Sequence, residues 1–162
     1  MKKIIVSLLF LLPLGLVAQE LKIAFVNTNE VLNVMPEVSD YESKIATLRQ
    51  TMDGVLKEMQ DDYVRKYTEF TAQSDSLTEN IRNLKIQEIQ QLEMRISNYA
   101  EASQEDYSKK SDELFLPIQE KLMKAIESVG AENGYIIFDS RTILYKGAAI
   151  DASDKVKAKL GL

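Results

Sequence analysis

Histidine, cysteine and tryptophan are all absent from the 162 residues. Histidine is the usual general base near neutral pH and the commonest metal ligand, and thiolate chemistry needs cysteine. Carboxylate-only catalysis would require acidic groups converging in a pocket, and no pattern here supplies one. No catalytic, cofactor-binding or metal-binding residue is therefore expected, and no disulfide. What remains is the chemistry of adaptable apolar contact. Met52, Met59 and Met94 carry polarizable, unbranched side chains that repack against varied neighbours. Tyr63, Tyr67, Phe70 and Tyr99 add rings, most of them with a polar tip. These seven are the candidate contact residues. Met52 and Met59 also fall on a helical packing seam, which favours an internal role for them. Tyr63, Phe70 and Met94 lie off the regular seam or near the turn expected at 73–79.

Charge narrows the partners. With 20 basic and 25 acidic side chains the chain has a formal charge of −5. That balance argues against non-specific binding to nucleic acid or to an anionic lipid surface. Lys2 and Lys3, an apolar run from Ile4 to Leu12, and then Pro13, Gly15 and Ala18 read as a secretory signal peptide over residues 1–18, with cleavage after Ala18. The run is too short to span a bilayer comfortably, and no cysteine follows it to carry a lipid. The rest is one domain's worth of chain.

The elements that must position the contact residues are set by an uneven distribution of helix breakers. Between Glu37 and Leu116 there is no proline and only Gly54, in a stretch rich in Glu, Gln, Lys, Leu and Met. Such a stretch is helix. Strand-like residues sit on either side: "KIAFV" near the start, then "YIIFDSRTILYKG", in which Tyr135–Phe138 and Thr142–Tyr145 flank a polar turn and predict a hairpin. The first strand needs partners for its backbone, and these are the only strand-like segments left. The helical stretch must leave the sheet and return, so a long antiparallel helical hairpin is predicted. The expected fold class is α+β: a small antiparallel β body carrying a coiled-coil arm.

The boundaries follow. Residues 19–36 and 118–162 form the β-rich body, residues 37–117 the arm, with the tip near 73–79 in "AQSDSLTEN". Asn27 or Thr28 caps a short helix, with Glu30 placed to answer Asn27. Pro36 starts the outgoing helix, and Val38, Tyr41, Ile45, Leu48, Met52, Val55 and Met59 make its seam. Ile89, Leu92, Ile96 and Tyr99 answer on the return. Pro36 is expected opposite Pro117, both as breaks at the neck of the arm, and Gly54 opposite the Tyr99 ring, where a missing side chain would make room. Pro36, Pro117 and Gly54 are the hinge candidates. Ser153 is expected to cap a final short helix stopped by Gly161. Each arm, at about 40 residues, would reach roughly 60 Å.

So small a body is marginal without disulfides or metal, and three short strands leave exposed edges. Association of copies through the sheets would solve both problems, burying Ile23, Phe25, Ile136, Phe138, Ile143 and Tyr145. An obligate homo-oligomer is expected.

The segments "KIAFVNTNEVL", "LFLPIQEKLMKAIESVGAENGYIIFD" and "TILYKGAAIDASDKVKAKLG", with the long helical hairpin between them, resemble the Skp/OmpH family of periplasmic chaperones over essentially the whole mature length. The resemblance implies a homotrimer whose three arms enclose a cavity, where unfolded outer-membrane β-barrel precursors are held without ATP, and contact with the outer-membrane assembly machinery. It carries no catalytic motif. The family is often basic and binds lipopolysaccharide, whereas this chain is acidic with interleaved signs, so lipopolysaccharide binding is not expected here. The competing class is a structural coiled-coil spacer or adaptor of the envelope, which would have a fully zipped apolar seam; the polar run from Glu101 to Glu113 speaks against it.

Overall fold

A computed structural model describes residues 22–162, so the signal peptide expected at 1–18 lies outside the described residues. Strand β1 (Lys22–Val26) leads into α1 (Thr28–Val34) and then α2 (Pro36–Gln73). A 3-10 turn at Ser74–Ser76 reverses the chain into α3 (Glu79–Asn133). Strand β2 (Tyr135–Asp139), a second 3-10 turn (Ser140–Thr142), the short β3 (Ile150–Asp151) and α4 (Ser153–Leu160) complete the chain.

The local starts and stops have clear causes. Asn27 caps α1, its side-chain oxygen accepting from the Glu30 backbone N–H at 3.3 Å. Pro36, which needs no amide partner, occupies the first turn of α2. The left-handed conformation that ends α3 is taken by Gly134 and the one that ends α4 by Gly161, where a β-carbon would be strained. Ser153 is not the cap of α4. Ala152 holds that position, and the carboxylate of Asp151 accepts from the Ser153 N–H at 2.9 Å. The buried Ser153 hydroxyl instead accepts from the Asn27 N–H at 3.0 Å, tying the end of β1 to the start of α4.

The sheet is parallel, in the order β2-β1-β3, and not the antiparallel hairpin expected from 135–145. The reason lies at both ends of that segment. Asp139 closes β2 by accepting from the Arg141 backbone N–H at 2.9 Å and by pairing with its guanidinium, and this winds residues 140–142 into a turn. Ile143–Tyr145 are left outside the sheet, and the second partner of β1 is Ile150–Asp151. Ala24, Phe25 and Val26 are all buried in this central strand, while Ile23 at its start stays exposed.

One face of this sheet carries the core. Ala24 and Val26 pack with Val31 and Met35 near α1, with Ile118, Leu122, Ala125 and Val129 of α3, and with Ala152 and Val156 of α4. That packing explains why Pro117 lies inside α3 and does not end it. An interior proline forfeits a backbone bond, but the residues just beyond it continue the apolar stripe buried on the sheet.

Beyond the core α2 and α3 run side by side as an antiparallel pair. Tyr41 meets Phe115 with ring centroids 5.4 Å apart and its hydroxyl lies 2.8 Å from that of Ser111, while Glu37 pairs with Lys121. The seam then thins. Val55 is exposed and the partly buried neighbour is Leu56, because a step of four from Met52 keeps the row facing α3. A β-carbon added at Gly54 would meet nothing within 4 Å, so this glycine does not make room for Tyr99.

Candidate functional site

Two regions leave apolar side chains unsatisfied by the fold, the outer face of the sheet and the distal half of the hairpin. On the sheet, the parallel register sets Ile23 beside Ile136 and Phe25 beside Phe138, so these four share the face opposite the core. Ile23, Ile136 and Phe138 are each more than 40% exposed. Phe25 is covered, with the Lys146 ammonium 4.0 Å from its ring centroid. Ile143 and Tyr145 line a recess of about 660 Å³ beside Ile23 and Phe138, and Leu144 between them is fully exposed. Leu144 and Ile150 are apolar members of this surface that sequence reasoning missed. The expected hairpin placed Leu144 in a strand, whereas it projects from a loop, and it left Ile150 out, whereas that residue begins β3.

A polar tie fixes the edge of this surface. The Thr28 hydroxyl donates to the Asp139 carboxylate at 2.6 Å, and Arg141 reaches the same carboxylate at 2.8 Å. The guanidinium of Arg141 is the main cause that holds the Asp139 carboxyl far below the usual carboxylate range.

In the distal hairpin, Tyr63 and Tyr67 stack with centroids 5.9 Å apart, and the Tyr63 hydroxyl donates to Glu93 at 2.7 Å. That bond to a carboxylate raises the Tyr63 pKa. A second bridge joins Lys66 to Glu88, with Asp62 and Lys85 each within 4 Å of one member. It lowers the Glu88 pKa and raises that of Lys66. At the tip, Arg82 donates to the Ser74 carbonyl at 2.6 Å and closes the turn.

The candidate contact residues divide between these surroundings. Met52, Met59, Phe70 and Tyr99 are partly buried between the helices, with Met52 and Tyr99 lining one recess of about 390 Å³. Tyr63 is half-buried under its bond to Glu93. Tyr67 and Met94 are exposed, Met94 at 59%. Sequence reasoning missed Val64, Ile81, Leu84 and Ile86, all exposed and Leu84 the most, at 64%. Leu84, five residues from Ile89, is off the spacing set by Ile89 and Leu92, whereas Ile86 and Ile81 keep it, at three residues from Ile89 and eleven from Leu92, so their exposure had no such signal.

Among the described residues there is no cluster of acidic side chains fit to hold a metal ion, and no helix is long and apolar enough to cross a membrane. The arrangement offers apolar and aromatic contact area on a long helical frame.

Comparison with known proteins gives a consistent result. The family described as outer membrane protein (OmpH-like) matches residues 22–160. No curated protein matches significantly. A solved structure from Caulobacter crescentus CB15, described as a candidate outer membrane chaperone (OmpH-like), superposes with a TM-score of 0.76 at 11% identity. The match covers 86% of this chain and 83% of that one, a likeness of fold.

Proposed function

Since the chain belongs to the OmpH-like outer membrane protein family, we propose that it is an ATP-independent holdase of the periplasm, binding unfolded outer-membrane β-barrel precursors between the helical arms of a homotrimer. The carrying observation is the set of large apolar side chains left in solvent on the distal hairpin: Val64, Tyr67, Ile81, Leu84 and Met94. A helix built only as a spacer would place such residues on its seam and charges elsewhere. Scattered single apolar residues are ordinary, but five between Val64 and Met94 are more than a spacer needs, and they favour a partner. Methionine and tyrosine among them suit many partners over one.

The trimer reading rests on the outer sheet face. Ile23, Ile136, Phe138 and the Ile143–Tyr145 loop form an apolar surface next to strands whose edges are short. Copies packed through it would bury that surface and bring three arms to one side of a shared body.

The test is the aggregation of a urea-denatured outer-membrane β-barrel protein on dilution, followed by light scattering without nucleotide. Suppression at a slight molar excess of trimer is expected. Unchanged scattering at that ratio would overturn the holdase reading.

A further inference from the structure

We propose that Asn133–Gly134, at the turn from α3 into β2, is a self-modifying site that the folded body holds inactive. When the body opens, the pair converts to isoaspartate, and a chain so marked cannot close the body again.

The chemistry needs an asparagine followed by a residue too small to crowd it. Asn133 is the one asparagine in the sequence followed by glycine; the others precede Thr, Glu, Val, Ile, Leu or Tyr. Once its proton is lost to hydroxide, the Gly134 backbone nitrogen attacks the side-chain carbonyl carbon of Asn133. A C–N bond forms, the bond to the side-chain nitrogen breaks, and ammonia leaves. Water then opens the cyclic imide at either carbonyl, giving aspartate or isoaspartate, so the net change is hydrolysis of an amide.

In the folded body each reacting group is already engaged. The Gly134 N–H donates to the Gly130 carbonyl, which keeps the proton on the nucleophile. The Asn133 side-chain N–H donates to the Val129 carbonyl at 2.8 Å, which fixes the electrophile. The backbone resists as well. Ring closure must bring the Asn133 Cβ and the Gly134 nitrogen close to eclipsed about the Asn133 Cα–C bond, and Asn133 ends a helix, whose ψ holds them well apart. Val129 is itself buried in the core, so these bonds persist while α3 stays packed on the sheet. The same glycine lets α3 stop, with φ at 65° in the left-handed region, so the labile pair is built into the turn.

The turn that protects the pair has no room for its product. Isoaspartate runs the main chain through the former side chain and adds a backbone carbon between α3 and β2. A β-carbon at Gly130 would already lie 3.4 Å from the Tyr135 carbonyl oxygen, so helix and strand are in near contact across the turn. Beyond it Tyr135 to Asp139 pair in fixed register with Lys22 to Val26, and Tyr135 and Ile137 pack on the core. An extra backbone atom displaces all of these at once. Charge matters less. A carboxylate at 133 loses the donor to Val129, but Lys155 and Lys159 border the same recess, with Lys159 shared with Glu132. Aspartate at 133 is therefore tolerated where isoaspartate is not.

The test incubates the full chain at mildly alkaline pH, folded in buffer and unfolded in urea, and follows residue 133 by peptide mass spectrometry and isoaspartyl methyltransferase labelling. Conversion is expected to be many-fold faster in urea. After dilution from urea, the refolded fraction should carry asparagine or aspartate at 133, with isoaspartate left in the unfolded fraction. Asn133→Gln keeps an amide but must close a larger, slower ring, so its refolding yield should hold its starting value through the incubation while that of the wild type falls. Asn133→Asp should refold. Equal conversion in buffer and urea overturns the protection by the fold. Isoaspartate shared evenly between the two fractions, an equal fall in yield for Asn133→Gln, or failure of Asn133→Asp to refold overturns the exclusion by the added backbone atom.

Discussion

The body and the middle of the arm are made from similar residues and packed by different rules. In the body a central strand, the end of α3 and two short helices bury Ala24, Val26, Val31, Leu122 and Val156 to a few per cent exposure or less. In the middle of the arm, from Leu48 to Met59 and from Ile96 to Tyr107, no residue is buried, and recesses open on both sides of Met52. The difference teaches where order is required. On the proposed reading, a body shared between copies must hold one geometry, whereas a wall that accepts varied chains gains from side chains the fold itself leaves loose.

Truncation is the strongest way to break that contrast. Leu122→Ala removes packed methyl groups from the body and should cost about 2–5 kcal/mol, read by urea unfolding followed by circular dichroism at fixed protein concentration. Asp139→Asn comes next. It weakens the tie among Thr28, Asp139 and Arg141 and should cost roughly 1–2 kcal/mol at neutral pH. The pH dependence has a definite sign. The native Asp139 pKa is depressed, so its stabilisation is fully present above the unfolded-state carboxylate range and is lost as pH falls through the native value. The gap between wild type and Asp139→Asn should persist at pH 5 and shrink only in strong acid. A gap already closed at pH 5 would show that the carboxylate is not held by Arg141.

Met52→Ala should cost less than about 1 kcal/mol, because the side chain is only partly buried, lies beside existing recesses and leaves little new cavity. A loss equal to that of Leu122→Ala would erase the distinction between the regions. The smallest effect is a gain. Gly54→Ala meets no atom within 4 Å and should stabilise by about 0.5–1 kcal/mol through helix propensity alone, raising the thermal midpoint. Destabilisation would mean that Tyr99 does need the space.

What the sequence revealed and what it hid divide along the same line. The strand at Ile23–Val26, the helix opened by Pro36 and the reversal near Ser74–Ser76 were legible because each rests on local chemistry: an apolar run, a fixed backbone angle, a cluster of turn formers. The direction of the sheet was not. Residues 142–145 have strand-like composition, and nothing local says that Asp139 will wind the chain into a turn and leave Ile150–Asp151 to pair instead. Pro117 misled for the same reason, since the packing of Ile118 and Leu122 on the sheet outweighs the backbone bond it forfeits. Of the candidate contact residues, the types were readable and the exposures were not. Val64 and Leu84 each lie five positions from the nearest seam residue, Met59 and Ile89, and only the observed pairing of α2 with α3 shows them facing solvent.

The central claim is that the exposed apolar side chains of the distal hairpin hold unfolded polypeptide. The most direct measurement compares suppression of barrel-protein aggregation by the wild type and by Val64→Ser/Leu84→Ser/Met94→Ser, with circular dichroism and sedimentation verifying that fold and assembly are unchanged. Because these three side chains contribute little to internal packing, the account predicts an intact protein that protects substantially less at equal concentration. An intact variant that protects as well as the wild type would contradict it.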